Sequence, residues 1–212
     1  MSTYPQARFL LSAAHARQFP PDLGAEVAVA GRSNAGKSTA INAVTGRHGL
    51  ARAAKLPGRT RLLNFFELAS GFRIVDLPGY GYASASAAER ANWVPMTTAL
   101  AARESLRGLL LVVDCRRGLL PGDEELLAWA AAAGRPVHVL LSKADKLGRA
   151  ELARTVAAAS RQLGSRATIQ PFSAVDGTGI EDVRRQLDRW SRQKAPVADD
   201  LGGVGHRGTA PA

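Results

Sequence analysis

The chain has 212 residues, 46% of them hydrophobic and 22% charged, with a formal net charge of +10. That length and balance suit one globular domain with its own core; they exclude a chain too polar to fold, a disulfide scaffold (Cys115 is the single cysteine) and any apolar run long enough to span a bilayer. The 28 Lys and Arg against 18 Asp and Glu make a polyanion such as nucleic acid the expected partner, set against arginine serving only as a solubilising residue.

In chain order, residues 1–24 read as an N-terminal extension. Its stretch "FLLSAA" is short and runs into His15 and Arg17, so no secretory leader is expected and, with one cysteine, the setting is cytoplasmic. Apolar runs at 26–30, 62–68, 72–77, 108–114, 136–142 and 167–173 predict six strands. Helical patterns at 38–46, 87–103, 122–134, 149–164 and 179–193 lie between them. Near-continuous apolar strands separated by helices give an α/β sheet, mostly parallel and covered on both faces. Only Ala69-Ser70-Gly71 separate the second and third strands, too few for a crossover helix, so that pair is expected to be antiparallel. Residues 46–61 form a long basic loop, and 195–212, without aromatics or periodicity, read as a disordered tail, leaving 25–194 as the folded domain.

The stretch "GRSNAGKS" (31–38) follows the first of the six runs and precedes a helix, the context in which G-x-x-x-x-G-K-[ST] cradles phosphates. Gly31 and Gly36 let the backbone wrap the phosphates, Lys37 reaches the β- and γ-phosphates, and the Ser38 hydroxyl ligates Mg²⁺. Asp76-Leu-Pro-Gly79 ends the third run: Asp76 can hold Mg²⁺ through water, and the Gly79 N–H can contact a γ-phosphate. The glycine-rich segment after it is expected to be mobile without that phosphate.

Ser142-Lys143-Ala144-Asp145 follows the fifth run. The Asp145 carboxylate can accept from the guanine ring N1–H and exocyclic amine, which adenine does not offer, so ATP would leave it unpaired. Lys143 is expected over the base, bracing the phosphate loop. Phe172-Ser173-Ala174 ends the last run, with the Ala174 N–H placed for the guanine O6. Four elements in this order specify a guanine nucleotide. Thr60, in the long loop, is then the candidate that closes over Mg²⁺ and the γ-phosphate, while Arg59 and Arg61 read as solvated flanking charges rather than catalytic groups.

Together "GRSNAGKS", "PGRT" with "NFF" (57–60, 64–66), "DLPGYGYA" (76–83), "SKAD" (142–145) and "FSA" (172–174) resemble the EngB/YihA/YsxC group of bacterial ribosome-biogenesis GTPases, over roughly residues 8–193. The resemblance implies a three-layer P-loop GTPase domain, a six-stranded mostly parallel sheet with one antiparallel strand. It also implies slow GTP hydrolysis with Mg²⁺, and a monomer that assembles the large ribosomal subunit and is thereby needed for normal cell division and septation. The nucleotide residues it implies are Gly31, Arg32, Ser33, Asn34, Ala35, Gly36, Lys37, Ser38 and Thr39, then Pro57, Gly58, Arg59 and Thr60, then Asp76, Leu77, Pro78 and Gly79. Ser142, Lys143, Ala144, Asp145, Phe172, Ser173 and Ala174 complete the set. Lys37, Thr60 and Gly79 are the catalytic candidates; Ser38, Thr60 and Asp76 hold the metal.

Tyr80 stands where Ras-type proteins carry the glutamine that orients the attacking water, so slow intrinsic hydrolysis follows. Asn34 occupies the place where potassium-dependent relatives coordinate K⁺, against the alternative that it only braces the loop. A small-molecule kinase or other ATPase using the same loop is the competing class; it needs a lid and a substrate motif, and the sequence shows neither. Trp93, Trp129 and Trp190 read as helix packing, and Cys115 as a small buried hydrophobe.

Overall fold

The computed structural model describes residues 4–51, 62–68, 71–80 and 87–193. Seven strands form one sheet in the order β1-β3-β4-β2-β5-β6-β7. They are β1 (Arg8–Ala13), β2 (Ala25–Gly31), β3 (Leu63–Glu67), β4 (Phe72–Asp76), β5 (Leu106–Asp114), β6 (Val137–Ser142) and β7 (Thr168–Pro171). The helices are α1 (Lys37–Thr45), α2 (Ala87–Ala101), α3 (Pro121–Ala132), α4 (Arg149–Leu163) and α5 (Ile180–Arg192).

β2 pairs parallel with β4 and β5, β5 with β6, and β6 with β7, whereas β3 pairs antiparallel with both β1 and β4. The one reversed strand is therefore the one that the short 69–71 connection predicted. Alternate residues of the central strands explain why their sequences read as unbroken apolar runs. Val27 and Val29 of β2 and Leu110 and Val112 of β5 pack with Ile41 and Val44 of α1 and Val183, Leu187 and Trp190 of α5. Ala28, Ala30, Leu109, Leu111 and Val113 face the opposite side, with Leu100 of α2, Leu127 and Ala130 of α3 and Leu163 of α4. Two cores on two faces make the three layers, and a single polar alternation would have exposed one of them.

β1 is one strand more than the six apolar runs supply. Arg8, Phe9 and Leu10 are exposed and the register shifts between Phe9 and Leu11, so the strand carries little of the burial signal that marks the others. Its place comes from what it pairs with and from anchors on either side. The Tyr4 hydroxyl donates to Asp188 (2.5 Å) and reaches the Arg184 carbonyl (3.0 Å) on α5. Asp22 accepts from the N–H groups of Glu104 (3.0 Å) and Ser105 (2.9 Å), just ahead of β5.

Beneath that connection the Glu26 carboxylate, fully buried at the start of β2, accepts from Arg73 Nε (2.8 Å) and Arg103 Nε (2.6 Å). The two guanidinium groups also donate to the carbonyls of Pro20 and Pro21. Residues 20–26 are thus bound to the amino ends of the parallel strands. Among the described residues no helix is long and apolar enough to cross a membrane.

Candidate nucleotide site

The carboxyl ends of β2, β4, β5, β6 and β7 converge on one edge of the sheet, where the chain leaves β2 for one side and later returns to the other; such switch points leave a crevice for a ligand. The loop from Gly31 to α1 lies across it. Gly31 has a reason the motif alone does not reveal: a Cβ there would stand 2.5 Å from the Val112 carbonyl oxygen, so glycine lets β2 and β5 run close. Asn34 (φ 65°) and Gly36 (φ 102°) turn the chain through left-handed conformations, and the Gly36 geometry is strained for any other residue.

Lys37 opens α1 and its ammonium pairs with Asp76 at the end of β4, both side chains buried. Ser38 Oγ, one residue on, is buried with no hydrogen-bond partner among the described residues. A buried hydroxyl oxygen beside the lysine that pairs with a buried carboxylate offers hard oxygen donors of the kind that suit Mg²⁺ alongside a polyphosphate, so the residues present fit the expected ion.

Leu77 is buried and its N–H donates to the Val29 carbonyl (2.9 Å), which carries the strand direction on into Pro78 and Gly79. Gly79 lies against the phosphate loop so closely that a Cβ would meet Ser33 Oγ at 2.9 Å and Ser33 Cα at 3.2 Å. A cavity of about 530 Å³ runs from Pro78 and Gly79 along Arg32, Ser33, Asn34, Gly36, Lys37, Ser38 and Thr39 to Lys143.

The far end is built by the two loops after β6 and β7. Ser142 Oγ sits within reach of the Ala35 and Val113 carbonyls, fastening β6 to the loop and to β5. Lys143, itself left-handed at φ 61°, sends its ammonium to the Asn34 carbonyl (2.7 Å) and to Asp114 (2.8 Å). The expected brace between Lys143 and the phosphate loop thus has a definite geometry. The Ala144 N–H donates to the Phe172 carbonyl (3.1 Å) and joins the two loops over a buried Phe172. Ser173 Oγ donates to one Asp145 carboxylate oxygen (2.8 Å) and Lys146 approaches the other (3.0 Å). Lys146 and then Ser173 hold the Asp145 carboxyl below its ordinary range, so it is an ionised acceptor at neutral pH. Ala174 packs partly buried beside it.

Thr60, with Pro57, Gly58, Arg59 and Arg61, lies outside the described residues, as do 81–86 and the chain from 194. Two carboxylates that sequence reasoning did not single out belong to the site's frame. Asp114 ends β5, accepts from Arg116 (2.9 and 2.7 Å) as well as Lys143, and is held well below the usual carboxylate range by these partners, Arg116 foremost. Asp123, at the start of α3, accepts from the Tyr80 hydroxyl and the Leu120 N–H (2.8 Å). The signal for Asp114 was present: like Asp76, it is the carboxylate that closes an apolar parallel strand. For Asp123 there was none.

Against known proteins, residues 26–143 match the family model described as 50S ribosome-binding GTPase. A "probable GTP-binding protein EngB" of Coxiella burnetii (strain CbuG_Q212) is 44% identical over 195 residues, covering 90% of this chain and 95% of its own. Its counterpart in Nitrosococcus oceani is 48% identical over 193 residues, covering 89% and 96%. A crystal structure of a protein described in the same words superposes with a TM-score of 0.64 at 24% identity, over 79% of this chain and 99% of that one. Era in complex with MgGDPNP and nucleotides of 16S ribosomal RNA gives a TM-score of 0.59 at 22% identity, over 82% of this chain and 58% of its own. These last two establish the fold alone.

Proposed function

The chain belongs to the EngB family of GTP-binding proteins, GTPases with a ribosome-binding GTPase domain, and from that premise we propose that it is a GTP-operated factor in assembly of the large ribosomal subunit, through which it is needed for normal cell division. The observation that carries the guanine reading is Asp145, held ionised at the mouth of the crevice by Ser173 and Lys146. An ionised acceptor there takes the two N–H groups of guanine and is left unpaired by adenine. The basic balance of +10 supports an RNA-rich partner, and the factor acts in the cytoplasm as a monomer.

On this reading Gly31–Thr39 wraps the phosphates, with the N–H groups at the start of α1 and the Lys37 ammonium meeting their charge. Lys37, already opposite Asp76, also meets the phosphate when one enters. Ser38, Thr60 and, through water, Asp76 would hold Mg²⁺, which when bound supplies charge neutralisation at the β- and γ-phosphate oxygens. Gly79, packed on Ser33, is placed to donate its N–H towards the γ-phosphate and draw the following segment with it, while Pro57, Gly58, Arg59 and Thr60 close from the other side. Lys143 braces the base and Asp145 reads it; Ala144, Phe172, Ser173 and Ala174 form the floor.

Hydrolysis is slow because the residue after Gly79 does not orient water. The Tyr80 ring packs on Gly122 and its hydroxyl is spent on Asp123; burial and that carboxylate push the phenol far above its ordinary range, so it is no base. Asn34, exposed at the outer turn of the loop, is the candidate for K⁺. Equal single-turnover rates in KCl and NaCl would remove the potassium role.

Two measurements test the main reading. GTP, but not ATP, should displace bound GDP. Co-sedimentation with purified large ribosomal subunits should depend on whether GTP, GDP or a non-hydrolysable analogue is bound, and association that ignores the nucleotide would sink the switch.

A further inference from the structure

A second recess, of about 260 Å³, opens on the other side of the phosphate loop, between that loop and the turn joining β5 to α3. Arg32, Ser33, Asn34 and Lys143 line both it and the nucleotide cavity, and Arg116, Arg117 and Gly118 form the opposite wall. Ser38 and the residues of the guanine floor do not line it, so it adjoins the nucleotide cavity without reaching the metal or base positions.

Its charge is unbalanced. Four cations, Arg32, Arg116, Arg117 and Lys143, line it against two carboxylates, Asp114 and Asp123. Both carboxylates are committed: Asp114 to Arg116 and Lys143, and Asp123 to the Tyr80 hydroxyl and the Leu120 N–H. The guanidinium groups of Arg32 and Arg117 make no hydrogen bond or ion pair among the described residues, and Arg117 is exposed. Arg116 keeps its outward edge in solvent, with a side chain 48% exposed. Arg32 lies close enough to Asp123 to favour its ionised form, yet neither its guanidinium nor that of Arg117 donates a hydrogen bond among the described residues, so two planar forks around a concave recess keep donors for the oxygens of a phosphate.

We propose that this recess is an RNA-contact site, in which Arg32 and Arg117 hold one backbone phosphate of an RNA strand. This rests on the ribosomal reading above and adds to it the surface that makes the contact. It also gives the nucleotide a route to the contact: Ser33 N–H donates to the Tyr80 carbonyl (3.0 Å) and Arg32 bridges Tyr80, so the residue after Gly79 is tied to two residues of the recess wall.

The test uses Arg117→Gln, which touches no part of the nucleotide site, against Arg154→Gln, which removes the same charge from the exposed face of α4. Binding of the full chain, saturated with a non-hydrolysable GTP analogue, is titrated with purified large subunits and with a fluorescein-labelled RNA hairpin from 0.1 to 1 M KCl. Losing one phosphate contact should flatten the slope of log K against log salt by about 0.8, which weakens binding about sixfold at 0.1 M and not at 1 M. GDP affinity should stay unchanged in both variants, and Arg154→Gln should keep the wild-type slope.

Equal behaviour of the two variants would overturn the proposal, since net charge would then explain any loss. An Arg117 effect on subunits but not on the hairpin would assign the recess to an acidic protein segment and overturn it as well. If the wild type fails to bind subunits yet binds the hairpin in an Arg117-dependent way, the ribosomal reading falls and the RNA site stands. If it binds neither, both fall.

Discussion

The two ends of the sheet carry the same kinds of side chain and use them in opposite ways. At the amino ends, Glu26 is shared by Arg73 and Arg103, whose remaining donors reach the carbonyls of Pro20 and Pro21. At the carboxyl ends, Lys37 faces Asp76 and Lys143 faces Asp114, while Asn34, Gly36 and Lys143 hold left-handed backbone. The first network is closed and fixes the N-terminal connection to the strands. The second sets strained left-handed turns at Asn34 and Lys143 around a crevice, which is what a ligand site requires. In a parallel sheet the loops at one end can vary around a crevice while those at the other are tied down, and this chain divides its charges accordingly.

That division can be broken from either side. The largest effect is expected at Asp145→Ala, which on the proposed function removes two charge-assisted hydrogen bonds to guanine. At roughly 1.5–3 kcal/mol each, GDP affinity should fall at least a hundredfold while Tm stays put. A parallel loss of Tm would mean that Asp145 holds the fold instead. Glu26→Gln is the mirror case. Leaving two buried guanidinium groups without their carboxylate should cost about 3–5 kcal/mol and lower Tm by roughly 10 °C, with GDP affinity per folded molecule intact. Urea titration and calorimetry read it directly.

Asp114→Asn is expected to be intermediate. Lys143 keeps the Asn34 carbonyl but loses its ion pair, so GDP should bind about fivefold to tenfold more weakly, a cost near 1 kcal/mol. Asp114→Glu should recover part of that affinity if the carboxylate acts through Lys143.

The smallest effect concerns pH. His138, near the amino end of β6, is held by Thr168 (2.6 Å) and Gln170 (2.9 Å), and burial depresses its pKa. The unfolded chain therefore binds the proton first, and stability should fall as pH drops below 6.5. Asp114 and Asp145, with pKa values depressed from 3.8, keep their contributions through that window and lose them only in stronger acid. Between pH 7 and 5, Tm should thus decline slightly while GDP affinity of the folded protein holds, and His138→Gln should flatten the Tm profile.

Periodicity and loop length made much of the fold legible. The unbroken apolar runs at β2, β5 and β6 required a sheet covered on both faces, and the four residues between β3 and β4 forced the reversed strand. Gly36, Lys37, Ser38, Asp76, Lys143 and Asp145 could be placed because each sits at a strand end or in the turn and helix start that follow one, in a motif whose chemistry depends on local spacing. β1 was hidden because an edge strand with Arg8, Phe9 and Leu10 exposed has no burial pattern to read.

By itself, then, the sequence determined the layers, the single antiparallel strand and the strand-end residues that meet in one crevice, since all of these follow from short-range pattern and the geometry of α/β connections. Only the tertiary structure decided which charges are closed and which are open. Glu26 finds Arg73 and Arg103, Asp123 finds Tyr80, and Arg32 and Arg117 are left facing one another across a recess because of contacts between residues far apart in the chain. Such pairings depend on where strands lie in the sheet, and no local pattern encodes them.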